Sequence, residues 1–552
     1  MSWRRALLLG IVVVPLALVA RWGGNAEAKG ARFHPWPDTV EYAAQAQALA
    51  QTGRSFLQIG PYQVRPRFPP GWPLVIAGAV RSGVEGRDLW RISGLFGAAL
   101  AWLLAIVAGW ATAVLSPRAV PPSQSPHHPG PLLPSPPPSL TGRRGRKAKT
   151  TGLSLVSPLP VREGGGIGRG AGGEGPGGGP LLAALLAGAV WAFAPIAVGV
   201  GQTLMSDEPT ALVCLAGLLL AGLAFLGDRR PLPLALAAGL AFGLAASMRS
   251  VVAALMLLPL LFFLIGALRR IGFQATLPRA LAWGAGALVL PALTSWIAVR
   301  SGLHPWEWSG YRFWMPFRFD HWWSTFNLRF ALQPDAAFRQ EIEGRPLSHL
   351  ELALRIFLGI PGLRTHHYLG LLWPLAGWLA AIPLYRIARS RRPGITPWVA
   401  PGLLLWTLAH LTIFSLYFYP SSRFYLAPLA LCLVLLATLC GLLWSRARWA
   451  ALAAALLVLL LTGWSFLQFE REPLPDVDTG RTRAGFNRWL RMGDDWRQGR
   501  VMPFDPVHAQ ALGLLTPEVV SRIRVWGELP DTVEVRRLRM NGFLPALESP
   551  RR

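Results

Sequence analysis

The chain has 552 residues, of which 52% are hydrophobic and only 15% charged, a composition too apolar for a soluble protein of several domains. Its net charge of +26 is that of a polyanion binder, but many of its arginines close off apolar runs and so mark membrane orientation; nucleic acid is excluded as a partner. The three cysteines, Cys214, Cys432 and Cys440, all fall inside apolar runs, which leaves no disulfide framework and no zinc-ligand spacing.

Taken in chain order, basic residues 1–5 precede an apolar run over 6–20, so the first helix is expected to start inside and exit outward. Apolar runs of spanning length recur as far as residue 466, and ~20 such residues cross ~30 Å of hydrocarbon. Residues 21–87 then form a first external loop. Ala26-Glu27-Ala28 also resembles a signal-peptide cleavage site, and cleavage there leaves the next acid, Asp38, outside as well. A helical pattern opens at Pro37 and runs to about residue 50, with Asp38 and Glu41 spaced as a capping box. The stretch Arg65-Pro66-Arg67-Phe68-Pro69-Pro70-Gly71-Trp72-Pro73 follows. The apolar piece over 72–80 is too short to span and reads as interfacial or re-entrant.

With 89–115 as the second span, the basic clusters 143–149, Arg229 with Arg230, Arg269 with Arg270, 386–392, and Arg446 with Arg448 all fall inside, and about eleven spans result. Residues 116–180 are proline-rich, then basic, then glycine-rich; they read as a disordered cytoplasmic insertion, which either binds lipid through its basic patch or has no function. Ser206-Asp207-Glu208-Pro209 is a complete helix-start signal at an external turn. A long external loop over 301–366 carries Trp306, Trp308, Trp314, Trp322 and Trp323. Its histidines, His304, His321, His366 and His367, lack metal-ligand spacing. From 468 to 552 a small external α+β domain is expected, with a helix-like piece over 484–492 and alternation over 522–538. The fold class is therefore an all-α polytopic membrane protein over 1–467 with a small C-terminal extramembrane domain.

Several residues stand out chemically. Asp38 places a carboxylate at a helix start beside the membrane surface. Arg65 and Arg67 suit a phosphate headgroup, which arginine grips through forked hydrogen bonds, although arginine and tryptophan also serve as interfacial anchors. Asp207 and Glu208 form a second acidic site at a membrane mouth, suited to a divalent cation such as Mg or Mn or to an acceptor. Arg249 and Arg423 lie in short external turns where arginine is otherwise sparse, and Arg423, flanked by Tyr417, Tyr419 and Tyr425, is read as a phosphate ligand.

This order of features resembles the GT-C superfamily of polytopic glycosyltransferases, especially bacterial relatives of protein O-mannosyltransferases and of the lipid A aminoarabinose transferase. The resemblance covers most of residues 1–430. It rests on Asp38 and Tyr42 in the first loop, Pro69-Pro70 later in it, Asp207 in the second loop, and the run Arg423-Phe424-Tyr425-Leu426-Ala427-Pro428, an arginine and aromatics ahead of Leu-x-Pro. The chain departs where many relatives have Lys-Pro-Pro, since Phe68 holds the lysine position and Arg67 or Arg65 has to supply the charge. The resemblance implies that Asp38 is the catalytic base, with Asp38 and Asp207 as candidate ligands of any metal. It further implies that a sugar passes, with inversion, from a polyprenyl-phosphate donor to a hydroxyl of a lipid, glycan or protein acceptor. The expected setting is a plasma (inner) membrane, with the active site on its external, periplasmic face. The competing reading is a transporter or lipid flippase, whose ionisable groups are expected near the midplane of the spans.

Overall fold

The computed structural model describes residues 3–23, 37–59, 62–64, 66–84, 88–116, 178–228, 230–305, 322–333, 347–359, 373–417 and 421–471. The insertion beyond residue 116 and the expected C-terminal domain beyond Arg471 lie outside the described residues, as do Arg65, Tyr419, His366 and His367.

The body is built from long apolar helices. They are α1 (Trp3–Trp22), α4 (Trp90–Leu115), α5 (Gly178–Phe193), α7 (Asp207–Leu226), α8 (Pro231–Met248), α9 (Ser250–Arg300), α13 (Trp373–Arg391), α14 (Thr396–Leu416), α15 (Leu426–Leu443) and α16 (Arg448–Arg471). Shorter elements join them at one end: α2 (Pro37–Thr52), the hairpin β1 (Leu57–Ile59) and β2 (Tyr62–Val64), α3 (Gly71–Arg81), α6 (Pro195–Gly201), α10 (Trp322–Thr325), α11 (Leu328–Leu332), α12 (His349–Leu358) and a 3-10 turn over Ser422–Tyr425. The hairpin pairs Leu57 with Val64 in antiparallel register, just before the proline-rich stretch that opens at residue 65.

Among the described residues eight helices are long and apolar enough to cross a membrane, or up to nine when the bent pair α5 and α6 counts as one. That bend of 58° falls at Ala194, where Pro195 removes a backbone donor and restarts the helix. The 51 residues of α9 are too many for one crossing, since a straight helix of that length spans ~76 Å. Gly272, with φ of 78°, breaks α9 into two limbs, each of spanning length. α13, whose last two turns carry Arg386, Arg389 and Arg391, is not among the eight apolar helices.

Close helix approach comes from small residues, as is usual where lipid supplies no hydrophobic drive. A Cβ on Gly239 of α8 would run into the Trp283 carbonyl of α9, and one on Gly286 into the Leu236 carbonyl. At the opposite end from the short elements, Arg279 donates to the carbonyls of Ala224, Phe225 and Gly227 at 2.8, 3.4 and 3.0 Å, and Arg270 to that of Leu226 at 2.5 Å. Two arginines flanking the Gly272 break thus cap the C-terminus of α7, where unpaired carbonyls and the helix dipole favour cations. At its N-terminus, α7 carries the acids of the candidate site.

Candidate functional site

Three of the residues singled out from sequence converge at the start of α7. Asp207 lies in the first turn of α7, and its side chain is fully buried. Arg249 is the single extended residue between α8 and α9, with φ of −150° and ψ of 94°, and its guanidinium lies 2.7 Å from Asp207 Oδ1. Arg423, in the 3-10 turn before α15, approaches the same oxygen at 3.9 Å and donates to Met205 Sδ at 3.5 Å. Both guanidiniums also lie over the ring of Phe424, at 5.0 Å for Arg249 and 5.5 Å for Arg423. One carboxylate and one aromatic face therefore hold two cations side by side.

Ser206 is the N-cap of α7 by position, yet its side chain makes no cap hydrogen bond. Its hydroxyl instead lies 3.0 Å from the Tyr42 hydroxyl and accepts from Arg249 Nε at 3.3 Å. Tyr42 belongs to α2, so this contact ties α2 to the arginine pair. The turn before Ser206 is fixed from two sides: Trp72 Nε1 donates to the Leu204 carbonyl at 3.1 Å and Ser93 Oγ to the Met205 carbonyl at 3.3 Å.

Asp38 is the second residue of α2, inside the helix and one turn before Tyr42, and its side chain lies outside the described residues. Glu41, expected to close a capping box with it, reaches the following loop. It accepts from the Arg67 backbone amide and from Arg67 Nε, the latter at 2.5 Å. Arg67 is thereby neutralised by a buried acid. Phe68, at the position where the resemblance implies lysine, packs against Tyr42 with ring centroids 4.4 Å apart and the rings tilted by 33°, so it serves as packing between the loop and α2.

Glu208, read from sequence as part of one acidic site with Asp207, is separated from it in space. It pairs with Arg21 from the last turn of α1, Arg21 Nη2 donating to Glu208 Oε1 at 2.5 Å and both side chains being wholly buried. Arg21 Nη1 also donates to the carbonyls of Ala17 and Ala192 at 3.2 Å, near the C-terminal ends of α1 and α5. A Cβ on Gly97 or Gly201 would strike Glu208 or Arg21, so only glycine fits at these two places. Arg21 had no chemical signal in the sequence beyond its place at the end of an apolar run. Tyr425 is buried with its ring near Phe357 and Phe414, at 5.3 and 6.1 Å, and contributes to the aromatic packing behind Arg423.

Of the two candidate metal ligands, Asp207 is engaged by arginine and the side chain of Asp38 lies outside the described residues. Among the described residues no group of three His, Cys, Asp or Glu side chains is placed to hold a metal ion. Each described acid of this region faces an arginine: Glu41 faces Arg67, Asp207 faces Arg249, and Glu208 faces Arg21. A cation beside Asp207 would meet two guanidiniums, whereas an anion beside them would be attracted.

No family model and no curated relative matches the sequence. Solved structures similar to the chain include ArnT from Cupriavidus metallidurans in the apo state, with 14% identity, a TM-score of 0.46, and coverage of 95% of this chain and 90% of that one. ArnT bound to undecaprenyl phosphate is similar at 14% identity and a TM-score of 0.47, covering 90% and 81%. The archaeal oligosaccharyltransferase AglB from Archaeoglobus fulgidus, in complex with an inhibitory peptide and a dolichol-phosphate, is similar at 13% identity and a TM-score of 0.47. The match covers 92% of this chain but only 61% of that longer protein. The same oligosaccharyltransferase has also been solved with zinc and sulfate.

Proposed function

We propose that this chain is an integral-membrane glycosyltransferase that moves a sugar from a polyprenyl-phosphate donor to an acceptor hydroxyl at the end of the helix bundle where α7 begins. The observation that carries this reading is the pair Arg249 and Arg423 held on Asp207. Arg67 pairs with Glu41 and Arg21 with Glu208, each with an acid of its own, whereas Arg249 and Arg423 converge on one buried carboxylate, Asp207. Such a pair, set at the mouth of a bundle of apolar helices, suits the phosphate of a lipid-carried donor, because guanidiniums bind phosphate oxygens through charge-assisted hydrogen bonds.

The chemistry follows from that placement. As the bond between sugar and phosphate breaks, negative charge grows on the departing phosphate while the sugar carbon gains oxocarbenium character. Arg249 and Arg423 are already oriented by Asp207 and by Phe424, so they meet that charge without reorganising. Ser206 and Tyr42 connect the pair to α2, on which Asp38 precedes Tyr42 by four residues, the spacing of neighbours on one helix face. Asp38 is assigned the role of base, taking the proton of the acceptor hydroxyl late in the attack from the face opposite the phosphate. Inversion at the sugar carbon results. The external face of a plasma membrane belongs to this proposal, following the arginine bias of the opposite end.

A transporter or flippase is expected to carry ionisable groups near the midplane. The acids of the described membrane helices, Asp207 and Glu208 in the first turn of α7 and Glu470 in the last turn of α16, all sit at helix ends. Transfer from a panel of polyprenyl-phosphate sugars by the purified protein tests the proposal, with Asp38→Asn as control. Transfer by the native protein that Asp38→Asn removes supports both reaction and base. Retained transfer in that variant refutes the base, and no transfer from any donor refutes the reaction.

A further inference from the structure

We infer that residues 322–333 form a lipid-docking platform, with Trp322, Trp323, Leu328 and Leu332 seated in the headgroup-to-acyl boundary of the leaflet at the site end of the bundle. The helices α10 and α11 have four and five residues, far too few to span. Yet four of their five large apolar side chains face outward, Trp322 at 73% exposed, Trp323 52%, Leu328 62% and Leu332 60%, while Phe330 turns in to stack on His349. The smaller Thr325 and Ala331 are buried instead. A segment that hides its small residues and presents tryptophan and leucine is patterned for an apolar surface outside the protein.

The depth of the segment is set by its backbone contacts. Asn327 N donates to the carbonyl of Leu416, the last residue of α14, at 2.9 Å, and Phe326 bridges to Tyr417. α14 is long and apolar enough to span, and its Leu404, Leu405 and Leu408 are exposed, so the platform continues an outward apolar surface at the level where that helix ends. Tryptophan concentrates at that level. The local polar groups are satisfied within the segment: Asn327 Oδ1 accepts from the Arg329 amide at 2.8 Å, and Arg329 Nε donates to Gln333 Oε1 at 2.8 Å.

An aromatic path joins the platform to the arginine pair. Phe326 lies 5.5 Å from Tyr417, Tyr417 lies 5.8 Å from Phe424, and Phe424 lies under Arg249 and Arg423. The platform therefore sets the two guanidiniums near headgroup depth, with lipid at their side, whether or not the lipid phosphate that reaches them carries a sugar.

The test uses the full chain in phospholipid nanodiscs, with nitroxide labels at Leu328→Cys and Leu332→Cys and reference labels at Leu404→Cys in a span and Arg54→Cys in an exposed loop. The native cysteines are buried. Collision with oxygen is compared with collision with a water-soluble nickel chelate. The platform predicts an oxygen-to-nickel ratio at 328 and 332 several-fold above that at 54, with a depth of ~5–10 Å, as for an interfacial helix. Nickel accessibility equal to that at 54 overturns the inference, because the segment is then in water. Protection from both reagents overturns it too, because protein then covers the patch.

Discussion

Arg249 and Asp207 meet at 2.7 Å where two helices begin, Arg249 just before α9 and Asp207 in the first turn of α7. The two positions are separated by all of α7 and α8, yet their contact defines the site, because Arg423 approaches the same oxygen from the start of α15. Asp207 thus orients two cations that would otherwise repel each other.

Removing the charge of Asp207 while keeping its shape isolates that role. Asp207→Asn is expected to leave the protein in the membrane at normal levels and to lower transfer at least tenfold, since the arginines lose their common anchor. Steady-state kinetics of the purified variant check this, and an unchanged rate would remove Asp207 from the account.

Arg423→Gln and Arg249→Gln each remove one guanidinium from the proposed phosphate. A hydrogen bond to a charged group contributes ~1.5–3 kcal/mol, so each single variant should bind the lipid phosphate ~10–100-fold more weakly. Arg423→Lys should restore only part of the loss, because a single ammonium cannot reproduce the forked contact. Titration with a polyprenyl phosphate measures all three.

Ser206→Ala cuts the contact between Tyr42 and Arg249 without touching the ion pair. Ser206→Thr keeps the hydroxyl. If the contact positions α2 against the arginines, Ser206→Ala lowers the turnover rate several-fold with little change in lipid-phosphate affinity, and Ser206→Thr recovers it. Equal loss in both variants would point to packing alone.

The pair Arg21 and Glu208 makes a stability prediction of another kind. Glu208→Gln leaves the buried guanidinium without its counter-charge, and breaking a buried pair from one side costs ~3–5 kcal/mol. The double variant Arg21→Met/Glu208→Met removes both charges and should recover most of that loss. Gly97→Ala should resemble the single variant, because its new methyl would occupy the space of the Glu208 carboxylate. Heating followed by size-exclusion chromatography in detergent compares the three proteins.

Much of the architecture was legible because hydrophobic run length and arginine placement are strong one-dimensional signals. The short piece over 72–80 is the eleven-residue helix α3, and the basic pair Arg269 and Arg270 does lie beside the break between two spanning limbs of α9. Arg249, Arg423 and Asp207 were legible for the same reason, as charges at an end of the bundle where charge is scarce. The relation of Glu208 to Arg21 was not, since a pairing across 187 residues leaves no mark in local pattern. Sequence also joined Glu208 to Asp207, whereas successive helical residues point about 100° apart and reach different partners. Ser206 looked like a cap by residue type, and only the three-dimensional course of α2 shows its hydroxyl turned to Tyr42. The bend between α5 and α6 has its local cause in Pro195, which opens α6.

On the proposed function, Arg249 and Arg423 together receive a lipid-borne phosphate. Its most direct test is equilibrium binding of a polyprenyl phosphate to the native protein and to the Arg249→Gln/Arg423→Gln double variant in nanodiscs. The account predicts saturable binding by the native protein and its loss in the double variant, with Arg67→Gln retaining most of the affinity. Equal binding by native and double-variant proteins would contradict it.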